Sequence, residues 1–432
     1  MILSVVGLGK LGSPMAACFA AKGFKVIGVD LVERNVRLIN EGKAPVFEPG
    51  LQDMLDRSGG RLSATGDLYQ AACQADVLFV IVPTPSDPSG AFTPRYVLEA
   101  MRPIGEAIRG RHDCPIVVVT STVMPGCTGT QVKPLLEEVS GKRCGTDFGL
   151  CYSPEFIALG SVIRDFLNPD LLLIGESDAR TGERVTSLYA QVCDTKPRVA
   201  RMSFANAELT KLAVNAFVTT KISYANMLAE ICERIEGGDV DAVTGALGLD
   251  TRIGAKYLKG SIGFGGPCFP RDNVALMTLA GRLGVDTPLP VATDTVNNHQ
   301  VSRLAHLAEQ HLPPGGTLGV LGLSYKPHTN VIEKAQGLEI AAKFARGGAS
   351  VTVYDPCALD AARGVLPGSV HFAASASECA RRADVLLVCT PSAEYKAVGA
   401  ADLKRPAGRR AVVIDCWRML DRAAISQVAD YL

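Results

Sequence analysis

One cysteine, one lysine–asparagine pair and two carboxylates stand where their types and spacing could carry chemistry. Cys268 lies in "SIGFGGPCFPRDN", Ser261 to Asn273, beside glycines and between two prolines, with Arg271 and Asp272 following. A core thiol needs neither the missing bulk nor the nearby charge. A nucleophile that must admit a substrate and a water can use both. Glycines without Cβ atoms let a ligand or another backbone come close, and cations favour the reactive thiolate. Asp272, four residues after Cys268, can orient a water or act as a base. In "KLAVN", Lys211 and Asn215 are also four apart, so on a helix both point to one face. Such a pair can hold a hydroxyl and stabilise an oxyanion, though it is equally commonplace on a solvated helix face. Glu155 in "YSPEF" follows an apolar run and reads as an active-site lip or as a surface acid.

A second constellation concerns a cofactor. "GLGKLG" puts Gly7, Gly9 and Gly12 in GxGxxG spacing, after the apolar run "ILSVVG" and before "SPMAACFAAKG". A tight turn, close backbone approach to a pyrophosphate and tight helix packing each need a glycine there. The helix N-terminus then offers N–H groups and a positive dipole end to phosphate. Asp30 closes the next apolar run, 18 residues beyond Gly12, near the ~20 expected for a ribose-binding carboxylate. An acid there accepts from both ribose hydroxyls and repels a 2′-phosphate, so NAD is expected over NADP, with Arg34 the one nearby feature pointing the other way.

These residues need elements to position them. Buried apolar runs ("ILSVVG", "KVIGVD", "ADVLFVIVPTP", "PIVVVTSTV") alternate with helical patterns, which predicts a parallel sheet covered on both faces. The last third echoes the first. "GTLGVLGLSYKP" resembles the opening strand and turn, "SVTVYDP" ends on Asp355 as "VIGVD" ends on Asp30, and "ADVLLVCTPS" nearly repeats "ADVLFVIVPTPS". Between them no glycine or proline occurs from Arg198 to Glu236, and about 30 helical residues would span roughly 45 Å. A helix that long buries its apolar face against another helix or another subunit. The expected fold class is α/β: two doubly wound Rossmann-like domains joined by a long central helix and a helical linker domain. The expected boundaries are 1–198, 199–300 and 301–432.

Composition narrows the partners. The 432 residues carry 44 basic and 44 acidic side chains, so no net field points to nucleic acid or a membrane surface. No apolar stretch approaches the ~20 residues that span a bilayer. The opening "MILSVVGLGKLG" lacks a basic leader and a cleavage site, so a cytoplasmic protein is expected. Thirteen cysteines include no CxxC pair, and the six histidines are scattered, so no metal site is expected.

Taken together, "GLGKLG", "VPTP", "STV", "SPEF", "KLAVN", "GFGGPCFPRD", "GLSYKP" and "IDCWR" resemble, in order and along essentially the whole chain, the UDP-glucose/GDP-mannose dehydrogenase family. The run around Cys268 is the most specific marker. The resemblance implies a four-electron oxidation of a nucleotide-sugar C6 alcohol to the uronic acid, with NAD as cofactor and UDP-glucose as the first-choice substrate over GDP-mannose or another nucleotide sugar. It implies that Cys268 is the nucleophile, forming a thiohemiacetal and then a thioester, and that Lys211 and Asn215 stabilise the oxyanion. Asp272, Glu155 and Thr122 would place water and assist proton transfer. Gly7, Gly9, Leu11, Gly12, Asp30, Thr84 and Thr122 would bind the cofactor. Glu155, Phe156, Lys211, Asn215, Arg252, Tyr257, Lys259, Gly265, Lys326 and Arg418 would hold the substrate, Arg252 reaching across the interface of a homodimer built on the central helix. Two departures stand out: Ser153 where the family often has Asn, and Ile332 where an arginine often follows "YKP". The nearest rival is a two-electron 3-hydroxyacid dehydrogenase, which needs neither the cysteine nor a second α/β domain. A non-catalytic nucleotide-sugar binder is the other, and the intact Lys211, Asn215, Cys268 and Asp272 set argues against it.

Overall fold

The computed structural model describes residues 1–406 and 408–432. They form two compact units, Met1–Ala213 and Val214–Leu432. In the first, eight strands among the described residues make one sheet: β1 (Ile2–Val6), β2 (Lys25–Val29), β3 (Leu62–Thr65), β4 (Val77–Val80), β5 (Ile116–Val119), β6 (Gly149–Tyr152), β7 (Leu171–Glu176) and β8 (Arg198–Met202). Their order is β3-β2-β1-β4-β5-β6-β7-β8. Neighbours run parallel except β6 and β7. The all-apolar runs read from the sequence are the inner strands: β4, β5 and β6 are buried along their whole length. Helices cover both faces, with one core around Phe19, Phe79 and Tyr189 and another around Met101, Val118's neighbours Val117 and Val119, and Tyr152. Strand order reverses between β1 and β4, the point where doubly wound sheets open a crevice at their carboxyl ends.

The second unit repeats the plan. Strands β9 (Thr317–Leu321), β10 (Ser350–Tyr354), β11 (His371–Phe372), β12 (Val385–Val388), β13 (Ala411–Asp415) and β14 (Ala429–Tyr431) lie in the order β11-β10-β9-β12-β13-β14. The echo heard in the sequence is a hydrogen-bonded one. Asp30 accepts from Leu8 N–H at 2.8 Å, and Asp355 accepts from Leu323 and Ser324 N–H at 2.8 and 3.0 Å. Both turns start on a glycine in left-handed backbone, Gly7 at φ 100° and Gly322 at φ 105°.

The helix Phe204–Cys232 has 29 residues and stops four residues short of Glu236, where the stretch without glycine or proline ends. Arg234 and Ile235 N–H bond three residues back, to Ile231 and Cys232, a tightened last turn. A Cβ on Gly238 would lie 2.2 Å from the Cys232 carbonyl oxygen, so the chain folds back on the helix end at a residue that must be glycine. The division between the units falls inside this helix, after Ala213. Lys211 therefore belongs to the first unit and Asn215 to the second. Among the described residues no helix is long and apolar enough to cross a membrane.

Candidate active site

In the first unit the glycine turn has the geometry of a phosphate cradle. A Cβ on Gly12 would stand 1.7 Å from the Gly7 carbonyl oxygen, whereas one on Gly9 would meet nothing within 4 Å. Gly12 lets the following helix, Gly12–Ala21, sit against the turn, and Gly9 leaves open space for a ligand. That helix begins at Leu11 without a side-chain cap or an acid in its first turn, so its N-terminal dipole is available to an anion. At the end of β2, Asp30 is held by Leu8 N–H, Val32 N–H at 2.8 Å and Asn35 Nδ2 at 3.2 Å. These residues fit the adenosine and pyrophosphate of a dinucleotide. Arg34 donates to the Pro45 carbonyl at 3.2 Å. Thr84 is buried in the loop after β4, and Ser121 Oγ donates to the Val82 carbonyl at 2.7 Å, tying that loop to the one carrying the half-buried Thr122.

Glu155 follows β6. Its carboxylate accepts from the Tyr189 hydroxyl at 3.1 Å, and its backbone carbonyl accepts from Lys211 Nζ at 2.6 Å. The Lys211 ammonium also lies 4.6 Å from the centre of the Phe156 ring, a cation–π contact. Burial pushes the Glu155 carboxyl up to about 7, against the pull of the Tyr189 hydrogen bond and the Lys211 charge. A carboxyl with that midpoint can exchange a proton near neutrality. One turn before Lys211, Glu208 is wholly buried and accepts from Gly126 and Thr128 N–H at 2.6 and 2.7 Å. It clamps the segment after Thr122 to the long helix. Sequence reasoning missed both Glu208 and Tyr189; an acid inside an otherwise apolar helix stripe was the signal for the first.

In the second unit Cys268 is the N-cap of the helix Phe269–Arg282 and is exposed. That position presents helix N–H groups to negative charge developing on the sulfur or on an attached oxygen. By contrast, burial pushes the thiols of Cys18, Cys127, Cys379 and Cys416 up to about 12. Asp272 sits one turn into the Cys268 helix, almost fully buried, and accepts from Asn215 Nδ2 at 2.5 Å. This contact belongs to a ladder that the sequence reading overlooked. Thr219 donates to Asn273 at 3.1 Å, Ser223 to the Thr293 carbonyl at 2.9 Å, and Asn226 both accepts from Ser261 N–H at 2.8 Å and donates to Ile262 O at 3.1 Å. Small polar residues at 215, 219, 223 and 226 recur at helical spacing, and they position the whole cysteine loop.

The glycines of that loop admit close neighbours from the chain itself. A Cβ on Gly263 would lie 2.0 Å from Gln336 Nε2, one on Gly265 2.1 Å from the Lys334 carbonyl, and one on Gly266 2.6 Å from the Tyr325 ring. Close packing against residues 325–336, and not only room for a sugar, excludes side chains there. Ile332 is half-buried and packs on the core of the second sheet.

The remaining candidates are spread around the second unit. Arg418, in left-handed backbone at φ 51°, is bidentate to Asp241 at 2.7 and 2.9 Å and donates to Gly260 O at 2.6 Å. Hydrogen bonds from Arg418 hold the Asp241 carboxyl below its usual range. Lys259 Nζ is 4.0 Å from the same carboxylate, so Asp241 organises two expected substrate cations and was itself missed. Arg252 is exposed and paired with Asp250 in its own turn at 2.6 Å. Tyr257, at φ 64°, packs edge-on against Phe269 at 6.4 Å, next to Cys268. Lys326 is half-buried in the loop after β9. Among the described residues no cluster of three His, Cys, Asp or Glu side chains is arranged to hold a metal ion.

Comparison with known proteins matches the chain in three segments. The UDP-glucose/GDP-mannose dehydrogenase family models match as the NAD binding domain over residues 1–193, the central domain over 205–299 and the UDP binding domain over 319–422. The chain is 36% identical to the UDP-glucose 6-dehydrogenase AglM of Haloferax volcanii, covering 98% of each. It is 34% identical to the GDP-mannose 6-dehydrogenase of Pseudomonas aeruginosa, over 82% of this chain and 81% of that one. The solved UDP-glucose dehydrogenase of the archaeon Pyrobaculum islandicum superposes with a TM-score of 0.89 at 33% identity, covering 100% of this chain and 96% of that one.

Proposed function

The chain belongs to the UDP-glucose/GDP-mannose dehydrogenase family, and from that premise we propose that this NAD-dependent oxidoreductase converts UDP-glucose to UDP-glucuronate in two successive oxidations. The observation that carries the proposal is the exposed Cys268 thiol at a helix N-terminus, with the buried Asn215–Asp272 pair one turn beyond it. The NAD-binding first unit would supply a hydride acceptor, one NAD per oxidation, so the second oxidation needs a second NAD after the first NADH has left. Lys211 and Asn215 hold the C6 oxygen as its proton passes to Glu155 or Asp272 and the alcohol, giving up a hydride, becomes a carbonyl. The Cys268 thiolate adds to the aldehyde carbon, forming a C–S bond and a thiohemiacetal whose oxygen the same pair stabilises. Loss of the second hydride and the oxygen-bound proton leaves a thioester. Water, deprotonated by Glu155 or Asp272 with Thr122 orienting it, breaks the C–S bond and releases the carboxylate and the thiol.

The rest of the reading assigns Gly7, Gly9, Leu11, Gly12, Asp30, Thr84 and Thr122 to the dinucleotide. It assigns Phe156, Tyr257, Lys259, Gly265, Lys326 and Arg418 to the nucleotide sugar, with Arg252 supplied to the partner copy. Domains at 1–198, 199–300 and 301–432 and a cytoplasmic homodimer complete it. Phe217, Tyr224 and Ile231 support the dimer: they are exposed at seven-residue intervals on the long helix, with Met227 among them. The product would feed polysaccharide biosynthesis. The test is NADH yield from purified protein offered UDP-glucose, GDP-mannose and N-acetylated UDP-sugars. Two NADH per UDP-glucose is expected, and Cys268→Ser should release no uronate while still binding NAD. One NADH per sugar would leave a two-electron dehydrogenase instead, and full yield from GDP-mannose alone would move the substrate assignment.

A further inference from the structure

We infer that Tyr189 is a positioning residue for Glu155: a hydrogen-bond relay from Ser153 Oγ through the Tyr189 hydroxyl orients and holds the Glu155 carboxylate. The inference rests on the proposed role of Glu155 in proton transfer. Three features of the first unit carry it.

The first is direction. Ser153 Oγ donates to the Tyr189 hydroxyl oxygen at 3.5 Å, and that hydroxyl donates to Glu155 Oε1 at 3.1 Å. A phenol has one proton to give. An ionised carboxylate can only accept, so the phenol proton lies between the two oxygens and its donation favours the ionised acid, with the longer Ser153 contact behind it. Ser153 and Glu155 flank one proline at the end of β6, so the relay closes a short loop that begins and ends on the same turn.

The second is rigidity. Tyr189 is 1% exposed on the helix Ala179–Val192. Its ring meets Phe79 and Phe166 edge-on at 6.2 and 6.3 Å, which leaves the hydroxyl little freedom to seek another acceptor. The helix is set in turn by Asp178, which caps it through Thr181 N–H at 3.0 Å. The Glu155 backbone is fixed separately, by Lys211 on its carbonyl. Side chain and main chain of the same residue thus have independent anchors, from two different helices.

The third is the surrounding charge. Among the described residues, Glu155 interacts with Tyr189 and Lys211 and, electrostatically, with the thiols of Cys18 on the helix after β1 and of Cys193 just beyond the Tyr189 helix. Burial pushes those two thiols up to about 12 and about 11, so they stay neutral near pH 7. The Lys22–Asp194 pair, at 2.5 Å, lies beyond them and cancels itself. Lys211 and Tyr189 are therefore what opposes burial at Glu155, and only Tyr189 touches its carboxylate. The hydroxyl holds the carboxyl below where burial alone would put it.

The experiment follows the Glu155 carboxyl directly, by infrared difference titration of the full-length protein against Glu155→Gln, in parallel with a pH–rate profile. Tyr189→Phe keeps the ring and deletes the oxygen. Losing a hydrogen bond to a charged group should raise the Glu155 midpoint by about one pH unit. The acid limb of kcat should move by the same amount, giving a roughly tenfold loss at pH 6 that is recovered above pH 8. KM for the nucleotide sugar should stay within twofold. Ser153→Ala should move the midpoint the same way by less, and it decides the matter should the phenylalanine variant fail to fold. An unmoved midpoint, or a rate loss uniform across pH, overturns the relay. A midpoint that moves while the rate profile does not would leave the relay intact and remove Glu155 from proton transfer.

Discussion

Replacing Gly12 by alanine tests the repeat and the cradle together. The new Cβ would start 1.7 Å from the Gly7 carbonyl oxygen, and real Cβ contacts essentially never fall below 3.0 Å. The helix must therefore retreat from the turn by about 1.3 Å, and a carbonyl cannot swing aside as a flexible side chain could. Overpacking of a rigid contact costs about 1–3 kcal/mol; a backbone clash this deep belongs at the upper end. If the strain is released by opening the turn, the N–H groups that face the pyrophosphate move with it. About 3 kcal/mol then appears as a loss of roughly 100-fold in NAD affinity. The second unit supplies its own control. A Cβ on Gly337 would sit 2.2 Å from the Gly322 carbonyl oxygen, the same contact ten residues farther along its loop. Calorimetric titration of each variant with NAD and with UDP should separate them. Gly12→Ala should weaken NAD and leave UDP within twofold; Gly337→Ala should do the reverse. Equal weakening of both ligands by either variant, or unchanged NAD affinity in Gly12→Ala, would refute the argument from the cradle.

Other predictions read the site from different directions. Lys211→Ala should lower kcat by about 100-fold or more while the dissociation constant for the nucleotide sugar shifts less than threefold, because an oxyanion contact acts in the transition state; a purely binding-level loss would make the lysine a clamp. Burial raises the Glu155 carboxyl from 4.5 to about 7, so the folded state binds that proton more tightly than the unfolded chain does. Wild-type stability should therefore fall, relative to Glu155→Gln, as pH rises from about 4.5 to 7, and level off above; denaturant melts across that range would show a flat difference if the carboxyl were ordinary. Phe217→Glu puts a charge on a side chain that is 67% exposed within one chain. Sedimentation should show it monomeric at concentrations where the parent is dimeric, with its fold intact by circular dichroism; an unchanged dimer would place the interface elsewhere.

The sheets were legible because buried parallel strands are nearly continuous apolar runs, and "ILSVV", "VLFV" and "IVVV" are strands of the expected position. The glycine spacing and Asp30 were legible because a tight phosphate-facing turn dictates residue type at each step. Partners at long sequence distance were not. Tyr189 lies 34 residues beyond Glu155, and Asp241 lies 177 before Arg418. No local pattern links an acid to a tyrosine or arginine that the fold brings beside it. The neighbours of the loop glycines were hidden for a related reason. Their composition announces that side chains are excluded, but only the structure names the excluder, which for Gly265 is a main-chain carbonyl from residue 334.

The long helix carries the deeper lesson about polarity. A surface helix ordinarily turns apolar residues inward and polar ones to water. In the second unit this one does the reverse along part of its length. Asn215, Thr219, Ser223 and Asn226 are buried and hydrogen-bonded, while Phe217, Tyr224, Met227 and Ile231 are exposed. Buried polar groups are costly unless every one is satisfied, and here each has a partner in the cysteine loop or in the helix Pro288–His311. Such an arrangement fixes the loop's position more sharply than apolar packing could, because a slip of one residue would break several hydrogen bonds at once. The exposed apolar side chains gain nothing from folding while they face water, which is what favours the proposed dimer there. On the proposed dimer, precision at Cys268 and association through the opposite face would be two consequences of one helix whose buried side mixes small apolar residues with satisfied polar ones.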